Sequence, residues 1–210
     1  YPPPGYTVMG QRFAKKACLL IDPKMKLDPT IFEEWFIDSA DQIKTHAAVN
    51  KPVSGAEPDP KYNAKGAGLD VLTNGKFGKA DHTDPNWIGF APSEETHELI
   101  LDLGDVQKIK AIAVNTLFSF DAKAEFPKRI TYQTSGDGES YTTNNRRYNS
   151  IGYYNRKEIG LLKKAGTRSM PMLLLTEQSH GSKEVLARYI KVEITNPKQW
   201  VFIDEIAVNP

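Results

Sequence analysis

The feature that most constrains the fold of this chain is a series of short β-rich runs separated by turn-forming residues. The runs are rich in Ile, Val, Leu, Tyr and Thr, which strands favour. In chain order they are "HELILDLG", "KIKAIAVNTLF", "KRITYQTS", "MPMLLLTEQ", "RYIKVEIT" and "VFIDEIAV". Stretches such as "PVSGAEPDPKYNAKGAG" and "TSGDGESYTTNN" are typical of turns. This pattern predicts an all-β sandwich or jelly roll over residues 47–210.

Residues 1–46 follow a different pattern. The apolar run "KKACLLIDP" predicts a buried strand, and its cysteine, Cys18, is expected to be an inert buried thiol. Further on, apolar residues that include Trp35 and Phe36 recur at helical spacing and predict a helix over about 29–46. We expect this segment to be either an appendage packed on the sandwich or the tail of a preceding domain.

Charge and hydropathy exclude several classes of partner. The 210 residues include 27 Lys and Arg against 26 Asp and Glu, so the net charge of +1 gives no general attraction to nucleic acid or to an anionic membrane. No apolar run approaches the roughly 20 residues of a membrane span. A single cysteine excludes an intrachain disulfide framework. Because "YPPPGYTVMG" has no signal-peptide pattern, we expect a mature chain or an excised piece.

The sequence also lacks a recognisable catalytic constellation. Adjacent acidic residues, such as Glu33 with Glu34 and Glu94 with Glu95, diverge on a helix or strand and do not face each other across a glycosidic bond. There is no nucleophile elbow, phosphate-binding loop or dinucleotide fingerprint. The histidines do not have metallohydrolase spacing; they are His46, His82, His97 and His180. We therefore predict that this chain is not an enzyme.

A series of motifs in a fixed order resembles one known family. The motifs are "LTNG", "DPNWIGF", "ELILDLGDVQKIKAIAV", "FPKRITYQTSGDGESY", "ARYIKVEI" and "WVFIDEIAV". In this order they resemble discoidin-like domains, also called coagulation-factor type C or galactose-binding-like domains, which include carbohydrate-binding modules of bacterial glycoside-degrading enzymes. The resemblance covers residues 47–210. It implies an antiparallel jelly roll of about eight strands, a ligand site on loops at one end, and a structural calcium ion.

The loop "LTNGKFGKADHTDPNWIGF" is rich in the oxygen ligands that calcium prefers. In discoidin-like domains an acidic residue of an Asp-Gly pair, further loop residues and a glutamate near the last strand bind the ion. The resemblance places these ligands at Asn74, Asp81, Thr83 and Glu205, with Asp84 and Asp204 as alternatives. Asn74 supplies an amide where the family has a carboxylate, which removes one charge. The simpler interpretation is that Asn74 and Thr83 or Asp84 only form turns.

A sugar site needs aromatic faces for stacking beside polar groups that bind hydroxyls. Residues of these types among turn-formers are our candidate ligand-binding residues: Tyr62, His82, Arg146, Arg147, Tyr153 and His180. We expect Trp87 and Trp200 to pack in the core or at its rim, and at least one of Phe118 and Phe120 to face the core. The polar tract "DGESYTTNNRRYNSIGYYNRKEIG" is expected to form a pair of surface loops.

These features lead to one main hypothesis and two alternatives. The main one is a non-catalytic carbohydrate-binding module, extracellular, at the cell surface or periplasmic. It would target an attached or partner glycan-degrading enzyme to its polysaccharide. The first alternative is a structural accessory domain that packs against a catalytic domain through residues 1–46 and has no ligand. The second is an adhesive domain that binds a protein or a membrane; protruding apolar and basic loop tips would be its signature.

Overall fold

The structure is a computed structural model in which part of the chain is described. The described residues are 40, 43–63, 66, 68–148, 168–177, 185–196 and 198–210, with the backbone alone at 144–148 and 175–177. They lie in one compact unit, Asp38–Pro210. Cys18 and most of the predicted helix over 29–46 lie outside them, and at residues 43–46 the chain is not helical. No helix in the described part is long and apolar enough to cross a membrane.

The described strands form two antiparallel sheets. Their bounds are β1 Val53–Gly55, β2 Ile88–Phe90, β3 Ser93–Ile109, β4 Ala111–Ser119, β5 Arg129–Ser135, β6 Thr142–Tyr148, β7 Ser169–Glu177, β8 Val185–Asn196 and β9 Val201–Val208. One sheet has the order β1-β3-β8-β5-β6 and the other the order β2-β9-β4-β7. Two short 3-10 helices, Pro60–Tyr62 and Gly68–Thr73, lie between β1 and β2. The predicted all-β sandwich is confirmed.

All six predicted β-rich runs are strands, namely β3, β4, β5, β7, β8 and β9. Strands β1 and β2 have three residues each, too few for a periodic pattern. The expectation of a loop pair was wrong for β6. A turn in which Asp137 Oδ1 accepts the N–H groups of Glu139 and Ser140 reverses the chain, and β6 then pairs along β5. Backbone pairing, rather than apolar content, therefore makes this polar segment a strand.

The main core lies between the two sheets. In strand β8, partly exposed and buried residues alternate from Tyr189 onward, with Ile190, Val192 and Ile194 buried. They share one cluster with Val114 of β4 and Ile203 of β9, which belong to the other sheet. Burying such aliphatic side chains is the main stabilising contribution, about 1.5–3 kcal/mol for each.

A second, smaller cluster covers the outer face of the four-stranded sheet. Trp87, Leu117 and Phe202 form it together with two alanines of the loop after β4. All residues of β4 and β9 are consequently buried, so both faces of these strands are covered. Because Trp87 stands just before β2, the loop from residue 74 to 87 is part of this cover. This loop contains Asn74, Asp81 and Thr83, three of the residues that the resemblance marked as metal ligands, whereas Glu205 is in β9.

Candidate functional site

A β-bulge in the last strand aims two carboxylates at this loop. Asn115 of β4 opposes Glu205, and the next residue of β4 opposes Ile203, so Asp204 has no partner across the ladder. Such an extra residue re-aims the side chains next to it. Ile203 and Ile206 both belong to the main core, whereas Asp204 and Glu205 turn to the outer face. Both acidic residues are fully buried there.

Each carboxylate accepts hydrogen bonds from the backbone of the loop. Glu205 Oε2 accepts the Gly75 N–H at 3.0 Å. Asp204 Oδ2 accepts the Gly78 N–H and, at 2.8 Å, the side-chain amide of Asn115. A buried carboxylate is tolerated only where donors replace the water that it loses. The bulge therefore fastens the start of the loop to β9 at two points.

His46 is a further neighbour of Glu205. Its Nε2 lies 3.1 Å from Glu205 Oε1, and both side chains are almost completely buried. Neither atom forms a hydrogen bond of regular geometry with any group. His46 Nδ1 accepts the Ala48 N–H at 3.3 Å, so in the neutral ring the proton is on Nε2, facing Glu205. His46, which the sequence assigned to the N-terminal appendage, thus contacts the last strand.

Burial perturbs the two acidic groups in the same direction. It raises the pKa of Asp204 well above its usual range, although hydrogen bonds from Gly78 and Asn115 oppose the rise. Burial also raises the pKa of Glu205, against the effect of His46. Asp204 Oδ1 and Asn115 Oδ1 have no hydrogen-bond partner. Both are acceptors while the carboxyl group is ionised, and protonation would turn one carboxyl oxygen into a donor.

Trp87 fixes the same loop further along. Its indole Nε1 donates to the Lys79 carbonyl at 2.8 Å, and only 1% of the residue is exposed. A Cβ at Gly78 would lie 2.4 Å from Trp87 Nε1, so only glycine fits beside the indole. The prediction that Trp87 packs in the core or at its rim is confirmed.

The residues that the resemblance marked as calcium ligands mostly form local turns. Asn74 Oδ1 accepts the Lys76 N–H at 2.7 Å, and Asp81 Oδ1 accepts the Thr83 N–H at 2.9 Å. That hydrogen bond is the main cause of the lowered pKa of Asp81, which is exposed together with Thr83. The contacts of Glu205 lead instead to Gly75 and His46.

The residues as placed do not fit the calcium site that the resemblance implies. Among the described residues, no three His, Cys, Asp or Glu side chains are placed to hold a metal. Backbone N–H groups, which repel a cation, point at Glu205 and Asp204. Asp84, an alternative ligand, accepts the Asn86 N–H at 3.0 Å in another local turn. Calcium binding by this chain stays a prediction.

An aromatic surface lies where the loop comes closest to the first 3-10 helix. The Tyr62 ring packs edge-on against Trp200 and Phe202, with centroids 4.8 Å apart in both pairs. His82, from the loop, contacts Tyr62 at 6.4 Å between ring centroids. The Lys61 ammonium lies 4.8 Å from the centre of the Tyr62 ring and 5.6 Å from that of Trp200. Phe202 is buried, whereas Tyr62, His82 and Trp200 are partly exposed.

The loop after β4 completes this surface. The Trp200 carbonyl accepts the Glu125 N–H at 3.0 Å, which joins that loop to the segment before β9. In the same loop, both oxygens of Asp121 accept hydrogen bonds from the Arg168 guanidinium. This ion pair is the main cause of the lowered pKa of Asp121, to which His82 also contributes. We call the surface formed by Lys61, Tyr62, His82, Asp121, Arg168 and Trp200 the aromatic end.

The structure brings together two of the candidate ligand-binding residues, Tyr62 and His82, at the aromatic end. Arg146 and Arg147 are in β6, where the backbone alone is described, and Tyr153 and His180 lie outside the described residues. Phe118 is buried, as predicted for at least one of this pair of phenylalanines. The additional members of the aromatic end, which the sequence analysis did not select as ligand-binding residues, are Lys61, Asp121, Arg168 and Trp200.

Comparison with known proteins shows the fold. No protein-family model matches the chain, and no curated protein does. Among solved structures, chitosan-binding module 1 from a Paenibacillus sp. IK-5 chitosanase/glucanase matches with TM-score 0.51 at 14% identity, over 79% of this chain and 99% of the module. A Streptococcus pneumoniae fucose-binding module matches with TM-score 0.53 at 13% identity, over 78% and 94%.

A third match is CpGH89CBM32-5 from Clostridium perfringens, solved with GalNAc-β-1,3-galactose. It has TM-score 0.51 at 12% identity and covers 76% of this chain and 94% of that one. At these identities the matches show the fold alone. The fold is that of carbohydrate-binding modules of the galactose-binding-like, discoidin type, as the motif order suggested. The chitosan and fucose neighbours are themselves binding modules.

Proposed function

We propose that this chain, whose fold is that of discoidin-type carbohydrate-binding modules, binds carbohydrate at the aromatic end. The observation that carries the proposal is the partly exposed pair Tyr62 and Trp200, placed beside His82 on neighbouring loops. Aromatic faces bury the apolar face of a pyranose, and polar groups at their rim orient its hydroxyls. Loops on a rigid sandwich are the usual place for such a site.

The groups around the aromatic pair suit a hydroxylated ligand. Lys61 is an exposed donor, His82 can donate or accept, and Asp121 is an acceptor whose pKa the Arg168 guanidinium lowers from its ordinary value. The rings are also held in place before a ligand arrives, because Tyr62 packs on buried Phe202. Holding them in advance reduces the entropy lost on binding.

We further propose that the chain targets an enzyme to its polysaccharide. A module of this type would keep an attached or partner glycan-degrading enzyme close to its polysaccharide by raising the local concentration of substrate. Such a role places the protein outside the cell, at the cell surface or in the periplasm. The three structural neighbours, which bind chitosan or fucose or were solved with a disaccharide, support the carbohydrate part of this proposal.

A glycan-array screen of the full chain tests the proposal. We expect binding to a restricted class of glycans, with dissociation constants in the range of about micromolar to millimolar. Changing Trp200 to Ala should abolish or strongly weaken the signal. The matched control is Tyr189→Ala, because Tyr189 is another partly exposed aromatic residue but belongs to β8 of the other sheet. It should bind as the unmodified chain does.

A blank array from the folded chain would contradict the proposal and favour the structural accessory role. Binding that Trp200→Ala and Tyr189→Ala leave equally intact would show carbohydrate binding at a different place. Binding to anionic vesicles in place of glycans would favour the adhesive alternative. Each variant is checked by its thermal unfolding curve, so that a lost signal is not caused by unfolding.

A further inference from the structure

We propose that hydrogen bonds from the chain itself, together with a close contact from His46, hold the loop after residue 74 against β9 without a bound metal ion. We call this arrangement the clasp. Its two acidic residues, Asp204 and Glu205, accept hydrogen bonds from three groups, the Gly75 N–H, the Gly78 N–H and the Asn115 amide, and His46 Nε2 lies 3.1 Å from Glu205. The resemblance places a calcium ion at this loop, so the two accounts predict opposite results.

The oxygen atoms of Glu205 both have close neighbours in the chain itself. Calcium requires six to eight oxygen ligands that are free to point at the ion. Glu205 Oε2 accepts the Gly75 N–H at 3.0 Å, and Oε1 lies 3.1 Å from His46 Nε2 without a hydrogen bond of regular geometry. The Gly75 N–H therefore occupies a side from which a cation would approach Oε2, and the His46 ring lies against Oε1.

The orientation of His46 does not suit a metal ligand. A histidine that binds a metal presents a bare ring nitrogen to it. Here Nδ1 accepts the Ala48 N–H at 3.3 Å, which leaves the proton on Nε2. The ring is almost completely buried, and Nε2 lies 3.1 Å from Glu205 Oε1. His46 thus places a protonated nitrogen beside the carboxylate that the family would use as a ligand.

The other predicted ligands form local turns or are exposed. Asn74 and Asp81 accept hydrogen bonds in turns within the loop, and the side chain of Asp81 is 59% exposed. Thr83 is exposed as well. The described residues thus place buried carboxylates in β9 and the other predicted ligands in a separate part of the loop. Hydrogen bonds from Gly75, Gly78 and Asn115 hold the loop that carries His82 against β9, and Asp204 Oδ1 and Asn115 Oδ1 keep no hydrogen-bond partner.

The test begins with the unmodified full chain. Thermal unfolding is measured after exhaustive dialysis against a chelator, and again with excess calcium; metal content is measured by elemental mass spectrometry. We expect equal Tm values and no stoichiometric calcium. An ion that binds only the folded state would raise the Tm. A rise of about 3 °C or more with calcium, or one calcium ion per chain, would overturn the proposal. Neither readout depends on carbohydrate binding.

Variants then test His46 directly. His46→Ala should lower the Tm by about 3 °C or more, because it removes the polar side chain that lies 3.1 Å from a buried carboxylate oxygen. His46→Gln, which can present an amide N–H, should recover part of the loss. The matched control is His97→Gln: His97 is partly buried, and its Nε2 is hydrogen-bonded to the Ala91 carbonyl rather than placed beside Glu205.

The double variant with Glu205→Gln shows whether the effect passes through the carboxylate. Removal of His46 should cost clearly less in the Glu205→Gln background than in the unmodified chain. An equal loss in both backgrounds, or no loss in either, would contradict a direct role for His46 in the clasp. If His46→Ala does not fold, the chelation measurement on the unmodified chain still decides the metal question.

Discussion

The two ends of the loop from residue 74 to 87 show how one segment can serve stability and recognition separately. At its start, the loop is fastened by buried carboxylates of β9, which accept the Gly75 and Gly78 N–H groups. Further along, His82 contacts Tyr62 and forms part of the aromatic end, which is partly exposed. Asp204 and Glu205, whose pKa values burial raises, show that a group with a perturbed pKa need not be one that contacts a ligand. Their burial indicates a structural role, whereas the residues of the proposed binding surface are partly exposed.

The largest effect expected at the fastened end comes from Gly78→Ala. The added methyl group would lie 2.4 Å from Trp87 Nε1, so the indole, which is buried, or the clasp must move. We expect a loss of about 2–3 kcal/mol in the free energy of unfolding, measured by denaturant titration. The control is Gly136→Ala, where no atom lies within 4 Å of the added methyl group. Equal losses in the two variants would contradict the close contact between Gly78 and Trp87 as the cause of the loss.

The next effect is a pH dependence caused by Asp204. Because burial raises its pKa in the folded state, its contribution to stability is fully present below the pKa of the unfolded chain. The contribution is lost as the pH rises through the higher folded pKa. Relative to Asp204→Asn, the unmodified chain should therefore become less stable over this interval, by at most about 1.4 kcal/mol per pH unit.

Denaturant titrations of both proteins across the pH range check this difference. Asp137→Asn is the control of opposite sign. Backbone hydrogen bonds from Ser140 and Glu139 lower the pKa of Asp137 to about 2, so its contribution is lost as the pH falls through that value. A difference curve for Asp204→Asn that is flat, or that slopes the other way, would contradict the assignment of a raised pKa.

At the aromatic end the expected effect is on affinity rather than stability. Trp200→Ala should weaken binding of the array ligand about tenfold or more, which corresponds to about 1.4 kcal/mol. Lys61→Ala should weaken it less, because Lys61 is exposed and water competes for the hydrogen bonds of its ammonium group. Isothermal titration calorimetry measures both. A Lys61 effect larger than that of Trp200 would indicate a ligand held mainly by charge.

The smallest effect on stability is expected for the ion pair of Asp121 and Arg168. Both side chains are largely open to solvent, 38% and 74% exposed, and ion pairs of this kind contribute little to stability. Asp121→Asn should leave the Tm nearly unchanged while changing the affinity for glycan. A clear drop in Tm without a change in affinity would indicate that Asp121 stabilises the fold and does not contact the ligand.

Much of the fold could be predicted from the sequence, because strands with long β-rich runs leave a clear pattern. The six runs became six strands. Strand β6 was missed because its polar residues are ordered by pairing with β5, and pairing between distant segments has no local signature. The short β1 and β2 were missed because three residues cannot show a period.

The site was less predictable, for reasons that also lie in long-range contacts. Tyr62 and His82 could be selected because turn-formers surround them, but their meeting with Trp200 depends on tertiary packing. The bulge at Asp204 could not be inferred, since a one-residue shift against Asn115 is invisible in a single strand. His46 and Glu205, which are in contact, are 159 residues apart in the sequence. The resemblance of the last strand to a family motif does not reveal that His46 is the neighbour of Glu205.

The most direct test of the central claim follows the indole N–H signals in a nitrogen-15 NMR titration with the glycan that the array selects. The chain has three tryptophans, and single Trp→Phe variants assign their signals. The account predicts that the Trp200 signal shifts and saturates with the ligand. The signal of Trp87, which is buried and bonded to the Lys79 carbonyl, should stay in place. Saturable binding that leaves the Trp200 signal unmoved would contradict a binding site at the aromatic end.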